Sequence, residues 1–432
     1  MTSLRKSLNT QPRTTLAMVG PVADGKSTCV DRLTGIKTAT HSLEKKLNGK
    51  TIKQGFANMK IWEDKNGKLY STDSSPNEFK IENENCTIVN HISFADLPGH
   101  HSLMKTMLGS LSMIDGAILV VAVDSSLESK PQLIQQLAAL KLACIHKIIV
   151  CMNKIDLVSQ DVLFTRKEEL DELFKKYEIV PLVVIPTCFN QGIGIDKLTF
   201  AIMKFFNPSD YIQNQKESAP LFVLSRTFDV NKPGTPYDQI IGGVFGGSLL
   251  SGTIKRGDDV EIRPGLVVKN KEGKFECIPL KTKVKSIESQ RKDLESIDYK
   301  GLVSIGTYLD PFYFKGDGEG KGKDTLVGHV VGIPGQMPSV FIQFCFELKL
   351  VTTFGISWKP VKKDIITIQA GTRVCDAMIK EIKNTMITIE LAKPCCIIDN
   401  EHIIVCKNID KILKIVGEGV IKYSENPNKL IE

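Results

Sequence analysis

Apolar positions fall into two regimes along the chain. From residue 16 to about 210, short unbroken apolar runs alternate with stretches whose apolar residues recur at helical spacing. Strands are predicted near 16–20, 91–96, 117–123, 147–153 and 181–187, and helices at 26–34, 101–113, 129–143, 161–176 and 195–206. Ala117 to Val123 is apolar without alternation, as in a strand buried on both faces. This alternation predicts an α/β class domain with a doubly wound, mostly parallel sheet. Asn207-Pro208-Ser209-Asp210 and the polar run Gln213 to Ser218 then mark a linker. Beyond it, short β-rich runs are separated by Gly, Pro and Asp turns. They include Ile240 to Leu250, Val260 to Arg263, Ile365 to Ile368, Met386 to Leu391 and Ile403 to Val405. No long amphipathic helix interrupts them, which predicts β-barrels. The Gly-Pro cluster Gly332 to Pro338 divides this half in two. The expected organisation is a flexible tail at 1–15, an α/β domain at 16–210, and barrels at 211–335 and 336–432.

Three of the strand ends carry chemistry. After Leu16-Ala17-Met18-Val19 comes Gly20-Pro21-Val22-Ala23-Asp24-Gly25-Lys26-Ser27, the phosphate-loop pattern G-x-x-x-x-G-K-[ST]. A phosphate chain offers many acceptor oxygens and several negative charges. Convergent backbone N–H groups at Val22, Ala23, Asp24 and Gly25, the helix start at Lys26, Ser27 and Thr28, and the Lys26 ammonium suit it. Ser27 is expected to hold a magnesium ion. Ile92 to Asp96 is an apolar strand ending in an acid, followed by Leu97-Pro98-Gly99-His100. Asp96 can hold the magnesium shell through water, and the Gly99 N–H can sense a γ-phosphate. Lys147 to Met152 is a buried-looking strand that delivers Asn153-Lys154-Ile155-Asp156 to its C-terminal end, where open parallel sheets bind ligands. A carboxylate there accepts both the N1–H and N2–H₂ donors of guanine, a pair that adenine lacks. The three segments in this order predict a GTP and GDP site.

Composition adds limits. The chain has 432 residues and a formal net charge of +7, a mild basic excess compatible with an RNA partner. No apolar run approaches the roughly 18–20 residues of a membrane span, so no membrane partner is expected. Met1 to Thr15 is polar and basic with no apolar signal core. The eleven cysteines include no C-x-x-C pair, which points to a reduced, cytoplasmic protein. The glycine-rich Lys315 to Lys323 lacks a strand–helix frame and reads as a surface loop.

A GTPase domain with Asp-x-Pro-Gly-His at its switch, followed by two barrels, resembles translational GTPases of the elongation factor Tu type. Further segments resemble the gamma subunit of eukaryotic and archaeal translation initiation factor 2. They are Thr51 to Ile61, Ser225-Arg226-Thr227-Phe228-Asp229-Val230-Asn231-Lys232-Pro233-Gly234-Thr235, Ile262 to Gly265, Gly306 to Pro311 and Val327 to Gly332. The resemblance spans about 16 to 422. It implies a GTP-gated carrier of initiator methionyl-tRNA to the small ribosomal subunit, one subunit of a heterotrimer with alpha and beta partners. It also implies activating and nucleotide-exchange factors, Thr51 completing the magnesium shell, and His100 orienting the attacking water.

The departures from that family are specific. Pro21 and Asp24 stand where its loop usually has histidines, and Asp24 is expected to point to solvent. Lys50 replaces an apolar residue, and His101 replaces an acid and is given no role. The guanine-supporting Ser-Ala-x box reads Thr187-Cys188-Phe189. Relatives often carry a four-cysteine zinc knuckle between Ala57 and His91, whereas this chain has only Cys86 there, so no zinc is expected. Two other readings stand beside the carrier: an elongator or selenocysteinyl-tRNA delivery factor of the same architecture, against which the 225–235 segment argues, and a GTP-binding scaffold with little hydrolysis.

Overall fold

The unbroken apolar runs of the first half become the strands of one sheet. The computed structural model describes residues 8, 10–36, 55–73, 75–97, 104–127, 130–207, 218–232, 234–289, 292–298, 300–315, 326–351, 358–371, 373–398, 400–422 and 428–431. The chain divides near residue 211 into two units.

The first unit contains β1 (Thr14–Val19), α1 (Lys26–Thr34), β2 (Gly55–Glu63), β3 (Leu69–Asp73), the two-residue β4 (Lys80–Ile81) and β5 (Glu84–Asn85), and β6 (Thr87–Asp96). It continues with α2 (Met104–Ser110), β7 (Gly116–Ala122), α3 (Pro131–Leu142), β8 (Ile148–Asn153), α4 (Gln160–Lys176), β9 (Val183–Pro186) and α5 (Ile195–Phe205). The sheet order is β3-β2-β6-β1-β7-β8-β9. The five strands from β6 to β9 run parallel, and β2 and β3 add an antiparallel edge. Every residue of β1 and β7 is buried. Leu16, Met18, Ile118, Val120 and Ile149 from the sheet meet Val30 and Leu33 of α1 and Leu198 and Ile202 of α5 in one core.

Two sequence expectations change here. β1 begins at Thr14, not 16, and its Thr14 to Met18 lie in register with Ile92 to Asp96. Leu8 is buried with Trp62 and Ile88. The expected tail at 1–15 therefore does not hold for these residues: an apolar anchor and two β-branched threonines attach them to the sheet. The hairpin of β2 and β3 was not anticipated. In β2, Ala57, Met59 and Ile61 are buried, but so are Asn58 and Lys60 between them. The Lys60 ammonium donates to the Pro76 carbonyl at 2.6 Å. Polar residues on a covered face break the apolar run that marks a buried strand.

The second unit begins with β10 (Leu221–Phe228), β11 (Val244–Ser251), β12 (Ile254–Lys255), β13 (Asp259–Lys269) and β14 (Phe275–Ser289). Then come β15 (Lys292–Asp293), β16 (Ser296–Ile297), β17 (Leu302–Thr307), the single turn α6 (Phe312–Lys315) and β18 (Val330–Gly332). Six strands close in the order β13-β18-β10-β11-β17-β14, with β14 pairing back to β13. Phe222, Phe245, Ile262, Ile305 and Phe314 fill this barrel. The second barrel uses β19 (Val340–Leu350), β20 (Ile365–Ala370), β21 (Arg373–Lys383), β22 (Met386–Cys396), β23 (His402–Ile409) and β24 (Ile412–Ile421), and β25 (Asn428–Ile431) adds to β19. Its order is β22-β21-β20-β23-β24-β19, closed by β19 on β22 around Phe344, Phe346, Ile389 and Val405. Closure pairs the edges that open sheets leave exposed.

Phe206, just after α5, anchors the start of the central strand β7. Its ring is fully buried, and a Cβ added at Gly116 would lie 2.2 Å from it. Its carbonyl accepts from Asn90 Nδ2 at 2.7 Å. Phe206→Ala should cost the first unit about 3–5 kcal/mol through the cavity it leaves. The chain has two tryptophans, so in a Trp358→Phe background Trp62 alone reports unfolding. An unshifted urea midpoint for that signal would contradict the expectation.

Candidate nucleotide site

The phosphate loop is set by local backbone demands. Gly20 (φ 145°) runs so close to β7 that a Cβ would sit 2.1 Å from the Val120 carbonyl oxygen. Gly25 (φ 106°) precedes α1, and a Cβ there would lie 2.3 Å from Asn153 Nδ2. Only glycine meets both demands. Ala23 takes the left-handed region (φ 66°) at the exposed tip of the loop. α1 has no acidic residue in its first turn, and its positive end lies beside the loop.

Lys26 is buried, and its ammonium donates to the Gly20 and Pro21 carbonyls at 2.8 and 2.7 Å. Burial pulls its pKa down, while the charges of Asp96 and Asp24 oppose that pull. The Gly20 carbonyl also accepts from the buried Gln136 Nε2 at 3.0 Å. Beside the lysine, Ser27 Oγ donates to Asp96 Oδ2 at 2.7 Å. This brings together two of the three predicted magnesium ligands, and their all-oxygen chemistry fits a hard cation. The third, Thr51, lies outside the described residues, as do Gly99 and His100.

Asp24 does not point to solvent as expected. It is 5% exposed. Its Oδ2 accepts from the Ala122 N–H at 2.9 Å and from Lys130 Nζ at 2.8 Å. Lys130 Nζ also donates to the Ala122 carbonyl at 2.7 Å. The carboxylate is thus tied to the end of β7 by a cation and a backbone donor, both stronger attractions than an exposed site would offer it. Sequence reasoning missed Lys130 and Gln136. Each lies more than a hundred positions from its partner in the loop, at a site no local pattern marks.

The segments predicted to bind the base converge on the same end of the sheet, at the C-terminal ends of its parallel strands. Asn153 ends β8; its Nδ2 donates to the Asp24 carbonyl at 2.9 Å, and its Oδ1 accepts from the Phe189 N–H at 3.2 Å. Thr187 Oγ1 lies 3.5 Å from the same oxygen, and the Ile155 N–H donates to the Thr187 carbonyl at 3.3 Å. Lys154 adopts φ 65° and donates to Asp124 Oδ2 at 2.7 Å. Asp156 is exposed on the following turn, its carboxylate close enough to act on the Cys188 thiol. Burial, and then that carboxylate, raise the Cys188 thiol pKa. Thr187, Cys188 and Phe189 are therefore brought onto the 153–156 turn. Val22 and Thr28 lie half-buried on either side of Lys26 in sequence. Cys86, the one cysteine of its segment, packs against the Leu8, Trp62 and Ile88 cluster with Phe79.

Comparison with known proteins agrees with this geometry. Residues 11–208 match the family described as "Elongation factor Tu GTP binding domain", and residues 351–421 match "Initiation factor eIF2 gamma, C terminal". Translation initiation factor 2 subunit gamma of Pyrococcus furiosus is 34% identical over 418 residues, covering 95% of this chain and 98% of that one. The eukaryotic counterpart from Encephalitozoon cuniculi is 33% identical over 417 residues, covering 94% and 92%. Among solved structures, a bacterial selenocysteine-specific elongation factor superposes with a TM-score of 0.70 at 20% identity. That superposition covers 95% of this chain and 58% of the other, and it shows a shared fold. With a translational GTPase domain, two closed barrels and gamma-subunit relatives over nearly its whole length, the chain is a GTPase and belongs to the gamma-subunit family of translation initiation factor 2.

Proposed function

We propose that this GTPase carries initiator methionyl-tRNA to the small ribosomal subunit in a GTP-dependent way, in the cytoplasm, with alpha and beta companion subunits. The observation that carries the reading is the convergence of the phosphate loop, Asp96 and the Asn153–Asp156 turn at one end of the sheet, in a chain with gamma-subunit relatives over 95% of its length. Lys26 contacts the β- and γ-oxygens, and backbone N–H groups from Val22 to Gly25, with those of Ser27 and Thr28, cradle the phosphates. Ser27 and Asp96, with Thr51, hold magnesium, which when bound neutralises charge on the phosphates. Gly99 reads the γ-phosphate. His100 orients the attacking water, and an activating protein completes the hydrolytic site. An exchange factor reloads GTP.

Guanine choice rests on Asp156, which lies exposed on the turn after β8. Asp156→Asn should weaken GTP and GDP binding by at least about tenfold, because a charge-assisted hydrogen bond contributes roughly 1.5–3 kcal/mol. A fluorescent-nucleotide titration in which the variant matches wild type removes Asp156 from that role. For His100, the expected result is retained GTP binding with loss of most partner-stimulated hydrolysis in His100→Ala. Stimulated turnover at the wild-type rate would assign the water to another residue.

The carrier reading itself is tested by tRNA affinity. A ligand shifts a switch only by its differential affinity for the two states, and such coupling is commonly ~1–3 kcal/mol. GTP should therefore tighten binding of methionylated initiator tRNA by about 5- to 150-fold over GDP at fixed salt. Fluorescence anisotropy with initiator and elongator tRNAs in both states decides the matter. Equal affinity in both states favours a scaffold, and preference for an elongator tRNA favours a delivery factor of another kind.

A further inference from the structure

The phosphate loop carries an acid beside its critical lysine. Asp24 is two positions before Lys26, and its negative charge acts on that ammonium. An uncompensated carboxylate there would repel a triphosphate, since like charges in a poorly solvated site interact strongly. The structure shows how the acid is accommodated. Asp24 Oδ2 receives two donors, Lys130 Nζ at 2.8 Å and Ala122 N at 2.9 Å. Lys130 closes the ring onto the Ala122 carbonyl at 2.7 Å. Both side chains of the pair are only 7% exposed, so water screens the interaction weakly. The carbonyl of Asp24 is held separately by Asn153 at 2.9 Å, so its backbone position does not depend on the ion pair.

We propose that Lys130 is a positioning residue of the nucleotide site: it draws the Asp24 side chain to the end of β7 and cancels its charge, and so makes an acidic phosphate loop compatible with GTP. The inference rests on reading Gly20 to Ser27 as the phosphate loop. Lys130 itself touches no substrate. Its effect is electrostatic, so it scales with phosphate charge and disappears when the acid is neutralised.

The test uses the full chain and compares GTP and GDP affinities of wild type, Lys130→Met and Asp24→Asn/Lys130→Met. Wild type must bind both nucleotides, and Lys26→Met must lose them; failure of either overturns the phosphate-loop reading instead of this inference. Lys130→Met should weaken GTP binding by at least about tenfold, and GDP binding by a smaller factor, because it leaves a buried charge unpaired. The double variant, with no charge left to pair, should recover most of the loss. It also provides a folded comparison should the single variant melt early, which the near-UV circular dichroism of both would reveal. A double variant as weak as Lys130→Met, or losses equal for GTP and GDP, would overturn the proposal, because a purely structural role predicts both. Wild-type affinity in Lys130→Met would overturn it outright.

Discussion

The side-chain amide of Asn153 holds the site together. Its N–H donates to the phosphate loop at Asp24, and its carbonyl oxygen accepts from Phe189 on the segment after β9. One residue at the end of β8 thus fixes three segments that are far apart in sequence. Its amide offers a donor and an acceptor on one rigid plane, and glutamine, which offers the same pair, has a longer stem and more rotamer freedom to lose. Asn153 is nearly buried, so each bond counts against a desolvated alternative and not against water. The absence of a side chain at Gly25 is part of the same arrangement, because a Cβ there would occupy the space of the Asn153 amide nitrogen.

Around that brace the charges alternate. Lys26 is held by loop carbonyls, Asp96 by Ser27 and Asp24 by Lys130. Burying a charge costs several kcal/mol unless it is paired and hydrogen-bonded. A site that must admit a polyanion needs an electrostatic surplus of positive charge at the phosphates. The acid within the loop, Asp24, is therefore bound at the end of β7, and Lys26 keeps donors that carbonyl oxygens engage only weakly compared with phosphate.

Local constraints were legible in the sequence and long-range ones were not. The glycines at 20 and 25, the helix start at 26 and the strand ending at Asn153 follow from spacing and apolar pattern, and each lies where the pattern places it. The doubly wound sheet and the barrels follow from the change of periodicity near 210. The direction of Asp24 was not legible, because its partner lies 106 positions away. β2 was hidden by Asn58 and Lys60, buried polar residues that interrupt an apolar strand. Much of the barrel architecture was hidden too. In β14, Lys281 and Lys283 are exposed while Leu280, Val284 and Ile287 are buried, so no continuous apolar run marks the strand. Its pairing slips between Ile262 and Leu266 on the β13 side and between Val284 and Ser286 on the β17 side, which blurs a period of two.

The rigidity of this brace bears on how a nucleotide could act as a switch. On the proposed reading, the Asn153–Asp156 turn, the 187–189 segment and most of the phosphate loop contact the base and the phosphates that GTP and GDP share. Contacts common to both ligands raise affinity for both and shift no equilibrium between conformations. Discrimination must come from groups that only the γ-phosphate engages. Within the braced region Lys26 alone reaches that far, and it also serves the β-phosphate. On the same reading, the switching free energy falls to Thr51 and Gly99. On that reading the braced end of the sheet holds the β-phosphate and the base in one frame, so that the single added phosphate of GTP meets Thr51 and Gly99 in a fixed position. A loose cradle would let the nucleotide shift and absorb the difference, whereas a braced one passes it on as a conformational change.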